Sequence, residues 1–243
     1  MITKQIVAGS GDLSPNFTIE DTQAEFGPIG KYILKLTNKP SPKLCLIATA
    51  SGDSPIWIDR FYDACSNEDV QPSHLQLFKS PNHVDVKKFL LTQDAIWVSG
   101  GSSVNLIAIW QAHGLFSILR EAWEKGIILS GYSAGSECWS AGGTTESFGP
   151  PPMPFVNPYG ILPFSSGVHN DDPAGLRRSR FRTFVEEGKI PEGYATDEGV
   201  TTHFIGTKLH KVISDTEGKS AYYTYRGKGG ELIEEKLVPE VIR

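Results

Sequence analysis

The chain has 243 residues, 39% of them hydrophobic and 21% charged, a balance that buries a sizeable core and excludes a disordered polymer. Its formal net charge of −5 excludes the concentrated basic patch that nucleic acid demands, and no apolar run approaches membrane-spanning length. The start of the chain lacks the apolar core and cleavage site of a secretory signal, so the expected compartment is the cytoplasm and neither nucleic acid nor membrane is an expected partner.

One α/β domain over residues 1–243 accommodates this length. The first buried strand is expected at 5–8, ahead of Gly9-Ser10-Gly11, a triplet that reads as an ordinary tight turn. Further apolar runs at 44–48, 95–98 and 126–130 lead into Thr49-Ala50-Ser51-Gly52, Ser99-Gly100-Gly101-Ser102 and Gly131-Tyr132-Ser133. Between them, 57–65 and 104–125 carry helical periodicity, the latter through Leu106, Ile107, Trp110, Leu115, Ile118 and Trp123. The alternation predicts an α/β fold with a mostly parallel central sheet, helices on both faces, and ligands at the carboxyl ends of the strands.

The stretch 142–163 is rich in Gly and Pro, including Gly149-Pro150-Pro151-Pro152-Met153-Pro154, and predicts a long loop flanking the site. Beyond it, 176–185 is basic and helix-capable, and 201–225 reads as short strands joined at Thr216-Glu217-Gly218-Lys219. Cys45, Cys65 and Cys138 form neither a metal-ligand spacing nor a disulfide framework, so reduced, partly buried thiols are expected.

The densest chemical signal is Gly131-Tyr132-Ser133-Ala134-Gly135, a G-x-S-x-G placed after a buried strand and before a helix-capable segment. That context is what a nucleophile elbow requires, because glycines permit the sharp turn that lifts the Ser133 hydroxyl clear of the sheet. The amide of Ala134 is then a natural oxyanion donor, and Gly100-Gly101 offers the second.

Ser133 needs a base, and six histidines are available: His74, His83, His113, His169, His203 and His210. The first three suit surface or packing roles. His169, in Gly167-Val168-His169-Asn170-Asp171-Asp172, ends a strand-like run downstream of the serine, whereas His203 and His210 lie in alternating strand-like sequence. For the acid that orients the imidazole, Glu146 and the pair Asp197-Glu198 stay open on sequence.

Together with Val104-Asn105-Leu106, Thr144-Thr145-Glu146-Ser147 and Tyr194-Ala195-Thr196-Asp197-Glu198-Gly199, these segments resemble the peptidase E family of serine peptidases, which includes aspartyl dipeptidases and is related to cyanophycinases. The resemblance runs from about residue 44 to 225. It implies a fold similar to class I glutamine amidotransferases, with serine in place of their cysteine, and no metal or organic cofactor. Residue by residue it implies Ser133 as nucleophile, His169 as base, Glu146 nearest the acidic triad position, and Gly101 and Ala134 as oxyanion donors. In Leu176-Arg177-Arg178-Ser179-Arg180 it implies Arg177 as the ligand of a substrate carboxylate, which a planar guanidinium holds through paired hydrogen bonds. Two departures stand out: a first loop with two glycines, Gly100 and Gly101, where relatives often have three, and Asn170 where many relatives carry an aromatic residue.

The expected activity is hydrolysis of a short peptide, with amino-terminal Asp the substrate that the resemblance nominates, through an acyl-enzyme on Ser133. The competing readings are an α/β-hydrolase esterase, whose base would be His203 or His210, and a binding protein that kept the fold without the chemistry. The expected partner is a small peptide substrate; homo-oligomerisation is allowed by the sequence but not specified by it.

Overall fold

The computed structural model describes residues 2–13 and 24–243. The first half of the chain runs through β1 (Gln5–Gly9), α1 (Pro28–Leu36), β2 (Lys43–Ile47), a 3-10 turn (Thr49–Ser51), α2 (Pro55–Cys65), β3 (Gln71–Leu75), α3 (Val86–Leu90), β4 (Ala95–Val98), α4 (Ser103–Ala112), α5 (Leu115–Glu124) and β5 (Ile128–Tyr132). The second half has α6 (Ala134–Glu137), β6 (Ser140–Thr145), β7 (Met153–Val156), β8 (Leu162–Gly167), α7 (Leu176–Glu186), β9 (Gly193–Thr196), β10 (Val200–Ile205), β11 (Lys208–Ser214), β12 (Ala221–Arg226), β13 (Leu232–Leu237) and β14 (Glu240–Val241).

The main sheet has eight strands in the order β14-β11-β10-β1-β5-β4-β2-β3. Its pairings are parallel except where β10 meets β1 and β11, which makes this the mostly parallel α/β sheet that the alternation predicts. Side chains alternate between two cores. Ile6 and Ala8 join Cys45, Ile47, Ile96 and Val98 beneath α4 and α5, whereas Val7, Leu44, Leu46 and Trp97 pack against Ile29, Ile33, Ile58 and Phe61 of α1 and α2. Burial on both faces is why these strands read as unbroken apolar runs.

A second sheet of six strands, β13-β12-β9-β8-β6-β7, corrects the sequence expectation for the stretch 142–163. The stretch 142–163 is not one long loop, because it contributes most of β6, all of β7 and the start of β8. Its glycines serve close strand packing: a Cβ on Gly143 would lie 2.2 Å from the Ser166 carbonyl oxygen. Pro154 is tolerated because β7 is an edge strand. The 104–125 segment is two helices rather than one, because Gly114 takes φ 63° directly after His113 caps α4.

The chain crosses between the sheets at four places: after β5 at Ser133, between β9 and β10 at Asp197-Glu198-Gly199, between β11 and β12, and between β13 and β14. The first two crossings meet at the carboxyl end of the parallel strands. Among the described residues no helix is long and apolar enough to cross a membrane.

Candidate active site

Ser133 stands between β5 and α6 with φ 55° and ψ −120°, a conformation that side-chain-bearing residues rarely hold. The surrounding glycines make the bend sterically available. A Cβ on Gly131 would lie 2.2 Å from the Gly135 carbonyl oxygen, and one on Gly135 only 2.0 Å from that of Val98. The Ser133 carbonyl starts α6 by accepting from the amides of Ser136 and Glu137, at 2.8 and 3.0 Å, while its own N–H donates to Gly9 O at 3.0 Å.

His169 follows β8 and also has positive φ, 53°. Its Nε2 lies 3.0 Å from Ser133 Oγ, and its Nδ1 meets the Glu198 carboxylate. A carboxylate only accepts, so Nδ1 carries a proton, and in the neutral ring this leaves the Nε2 lone pair facing the serine hydroxyl. The histidine backbone is fixed as well: its N–H donates to Ser10 Oγ at 2.9 Å, and Ser10 donates to Thr196 O at 3.0 Å.

Glu198 is held by its own N–H, which donates to Asp171 Oδ1 at 2.8 Å, and by the Tyr132 hydroxyl, which donates to Oε1 at 3.4 Å. Burial, reinforced by the negative charge of Glu198, pushes the Tyr132 hydroxyl far above its ordinary range and keeps it a donor. The Tyr132 ring stands edge-on to the imidazole at 5.4 Å, so an aromatic neighbour of His169 is present although position 170 is Asn.

The acid beside His169 is therefore Glu198, one of the alternatives left open on sequence, and not Glu146. Glu146 lies on the loop after β6 and is drawn instead into an ion pair with Arg177 of α7. Asp197 points elsewhere: its carboxylate accepts from Ser220 N at 2.9 Å and from the Asn170 side chain at 3.4 Å. Arg177, expected to face a substrate carboxylate, is occupied by Glu146, and its N–H donates to Asp172 Oδ1 at 3.0 Å.

Gly101, in the loop after β4, and Ala134, the first residue of α6, border Ser133. Among the described residues, neither amide donates to another backbone group. Gly101 has φ 141°, and a Cβ there would strike the Ala50 carbonyl oxygen at 2.3 Å, so glycine is required for the loop to run this close. Gly100 packs on the nucleophile itself, its added Cβ falling 3.2 Å from Ser133 Cβ.

A buried carboxyl ties this loop to α6. Glu137 is 2% exposed and accepts the hydroxyl proton of Ser103, the first residue of α4, while its second oxygen meets no donor among the described residues. Burial pushes its pKa up to about 8, so near neutral pH the carboxyl is mostly protonated.

His203 and His210 are not at this site. His203 is buried on β10, where its Nε2–H donates to Gln5 Oε1 at 3.1 Å and its Nδ1 accepts from the Tyr32 hydroxyl at 2.7 Å; His210 stacks edge-on against it. His74 bonds Tyr62, and His83 stacks on Phe89. Sequence reasoning missed Ser10 and Glu137. The first was visible only as a turn residue, and the second as an acid four places after the serine in a helix too short to show periodicity.

The sequence matches Peptidase family S51 over residues 16–212. It is 37% identical over 219 residues to the uncharacterized peptidase YgaJ of Bacillus subtilis strain 168, covering 90% of this chain and 91% of that protein. It is 31% identical over 110 residues to Peptidase E of Streptomyces coelicolor, covering 40% and 44% of the two chains. The crystal structure of a peptidase from an acI-B1 Actinobacterium superposes over 98% of this chain and 95% of its own with a TM-score of 0.71 at 14% identity, a likeness of fold.

Proposed function

The chain belongs to peptidase family S51 and is a serine peptidase, and from that premise we propose that it cleaves short peptides through an acyl-enzyme on Ser133. The observation that carries the reading is the 3.0 Å contact between Ser133 Oγ and Nε2 of His169, with Glu198 on the other ring nitrogen. His169 takes the serine proton as Oγ attacks the peptide carbonyl carbon, and returns it to the leaving amine as the C–N bond breaks. Water then enters by the same route and releases the acid. Glu198 holds the productive tautomer and offsets the charge of the imidazolium.

The amides of Gly101 and Ala134 receive the oxyanion; losing one such donor costs about 3 kcal/mol of transition-state stabilisation, more than most contacts around it. This scheme uses no metal and no organic cofactor. Dipeptides with amino-terminal Asp are among the first substrates to test, although Arg177 would reach their side chain only by exchanging Glu146 for it. The three cysteines are free and buried, which suits a reducing compartment and supports placing the enzyme in the cytoplasm. The decisive experiment is labelling with a fluorophosphonate alongside a dipeptide panel: the wild type should be labelled and active and Ser133→Ala neither, and retained turnover in the variant would refute the scheme.

A further inference from the structure

The cleft that opens beside Ser133, about 300 Å³ in volume, has walls of largely one chemical kind. Leu13, Leu46, Trp57, Phe61, Trp97 and Tyr132 supply them. Leu46, Phe61 and Trp97 belong to the packed core under α2, which makes that wall rigid, whereas Trp57 stands at the rim, 44% exposed. Asp12 and Arg60 also border the cleft, one acid and one base, and each is already engaged by other groups of the protein. The Arg60 guanidinium lies 5.4 Å from the centre of the Trp57 ring. Among the described residues the lining thus carries no net charge.

The cleft lies on the Gly100-Gly101 side of Ser133, and neither His169 nor Glu198 takes part in its lining. In acyl transfer the imidazole must reach the amine that it protonates, so the leaving group departs on the His169 side. The acyl part of the substrate occupies the other side, which is where the cleft is.

We propose that this cleft is the acyl-side specificity pocket, and that it selects a bulky apolar or aromatic side chain over an acidic one on the residue whose carbonyl Ser133 attacks. The assignment rests on Ser133 being the nucleophile. Its volume is near the lower end of small-molecule sites, roughly 300–1,000 Å³, and suits one large side chain rather than an extended peptide. A carboxylate entering it would lose water against aromatic walls. Apolar pockets of this kind discriminate by roughly 10- to 200-fold.

The test uses diphenyl aminoalkylphosphonates whose side chain is benzyl, isobutyl, methyl or carboxymethyl. Ser133 Oγ bonds to phosphorus, the P–O bond to phenoxide breaks, and the serine proton passes through His169 to the phenoxide. The benzyl probe should label the full-length protein at least about tenfold faster than the carboxymethyl probe, and Trp57→Ala, at an exposed position, should shrink that ratio several-fold. A carboxymethyl probe that reacts as fast or faster, or a ratio indifferent to Trp57→Ala, overturns the pocket assignment while leaving Ser133 as nucleophile. A simple alkyl fluorophosphonate that labels wild type and Ser133→Ala alike overturns the underlying reading instead.

Discussion

Ser133 Oγ and His169 Nε2 stand 3.0 Å apart at the tips of two bends, each of which forces its residue to positive φ, 55° for the serine and 53° for the histidine. The pair meets because two strained turns, from two different sheets, aim at one point.

The strain at Ser133 is testable. Positive φ costs a residue with a side chain roughly 1–3 kcal/mol, and glycine escapes it at an entropic cost of about 0.4–1 kcal/mol. Ser133→Gly should therefore be more stable than Ser133→Ala by about 1 kcal/mol in urea denaturation, while both lose at least about 10⁴-fold in kcat. Equal midpoints would mean that the backbone is relaxed at this bend.

The two glutamates separate by kinetics. Glu198→Gln reverses the tautomer preference of His169 and should lower kcat by about 10²–10⁴-fold with little change in KM. Glu146→Gln weakens an ion pair with Arg177 and should leave kcat within about tenfold of wild type. The opposite ranking would hand the orienting role to Glu146.

His203 should matter for stability and not for turnover. Burial, assisted by the charges of His210 and Lys211, lowers its pKa from 6.5 to about 4, so the folded protein binds fewer protons there than the unfolded chain. Its contribution is complete above pH 6.5 and is lost as the pH falls towards 4. His203→Gln should flatten that part of the stability profile and keep kcat within about tenfold of wild type, whereas His169→Gln should abolish activity. A collapse of kcat in the His203 variant would revive the esterase reading.

Glu137 has the opposite sign. Its pKa rises from 4.5 to about 8, so the folded state holds a proton that the unfolded chain releases, and stability drains away as the pH climbs across that window. Glu137→Gln keeps an acceptor for Ser103 and carries no charge. Its melting temperature relative to wild type should rise between pH 5 and pH 8, read by calorimetry; a constant difference would show that the carboxyl does not titrate there.

The parts of the fold that sequence made legible are those whose environment leaves a local mark. Strands β2, β4 and β5 are covered on both faces and read as apolar runs, and the glycines around Ser133 mark a turn that tolerates no side chains. The second sheet was hidden because its close strand packing uses Gly and Ser at Gly142, Gly143 and Ser165-Ser166, the same composition that marks loops. The acid was ambiguous for another reason. Whether Glu146 or Glu198 faces the imidazole depends on where β9 crosses to β10 and on where Arg177 lies, and neither is a local property of the chain.

The turn at the end of β1 gives two neighbouring residues separate duties: Gly9 O accepts the amide of Ser133, and Ser10 Oγ accepts the amide of His169. Nucleophile and base are thereby gauged from a single peptide unit, as two arms clamped to one post. Thermal breathing that slides the sheets past each other carries both arms together, so the gap that a proton must cross survives motions that would otherwise widen it.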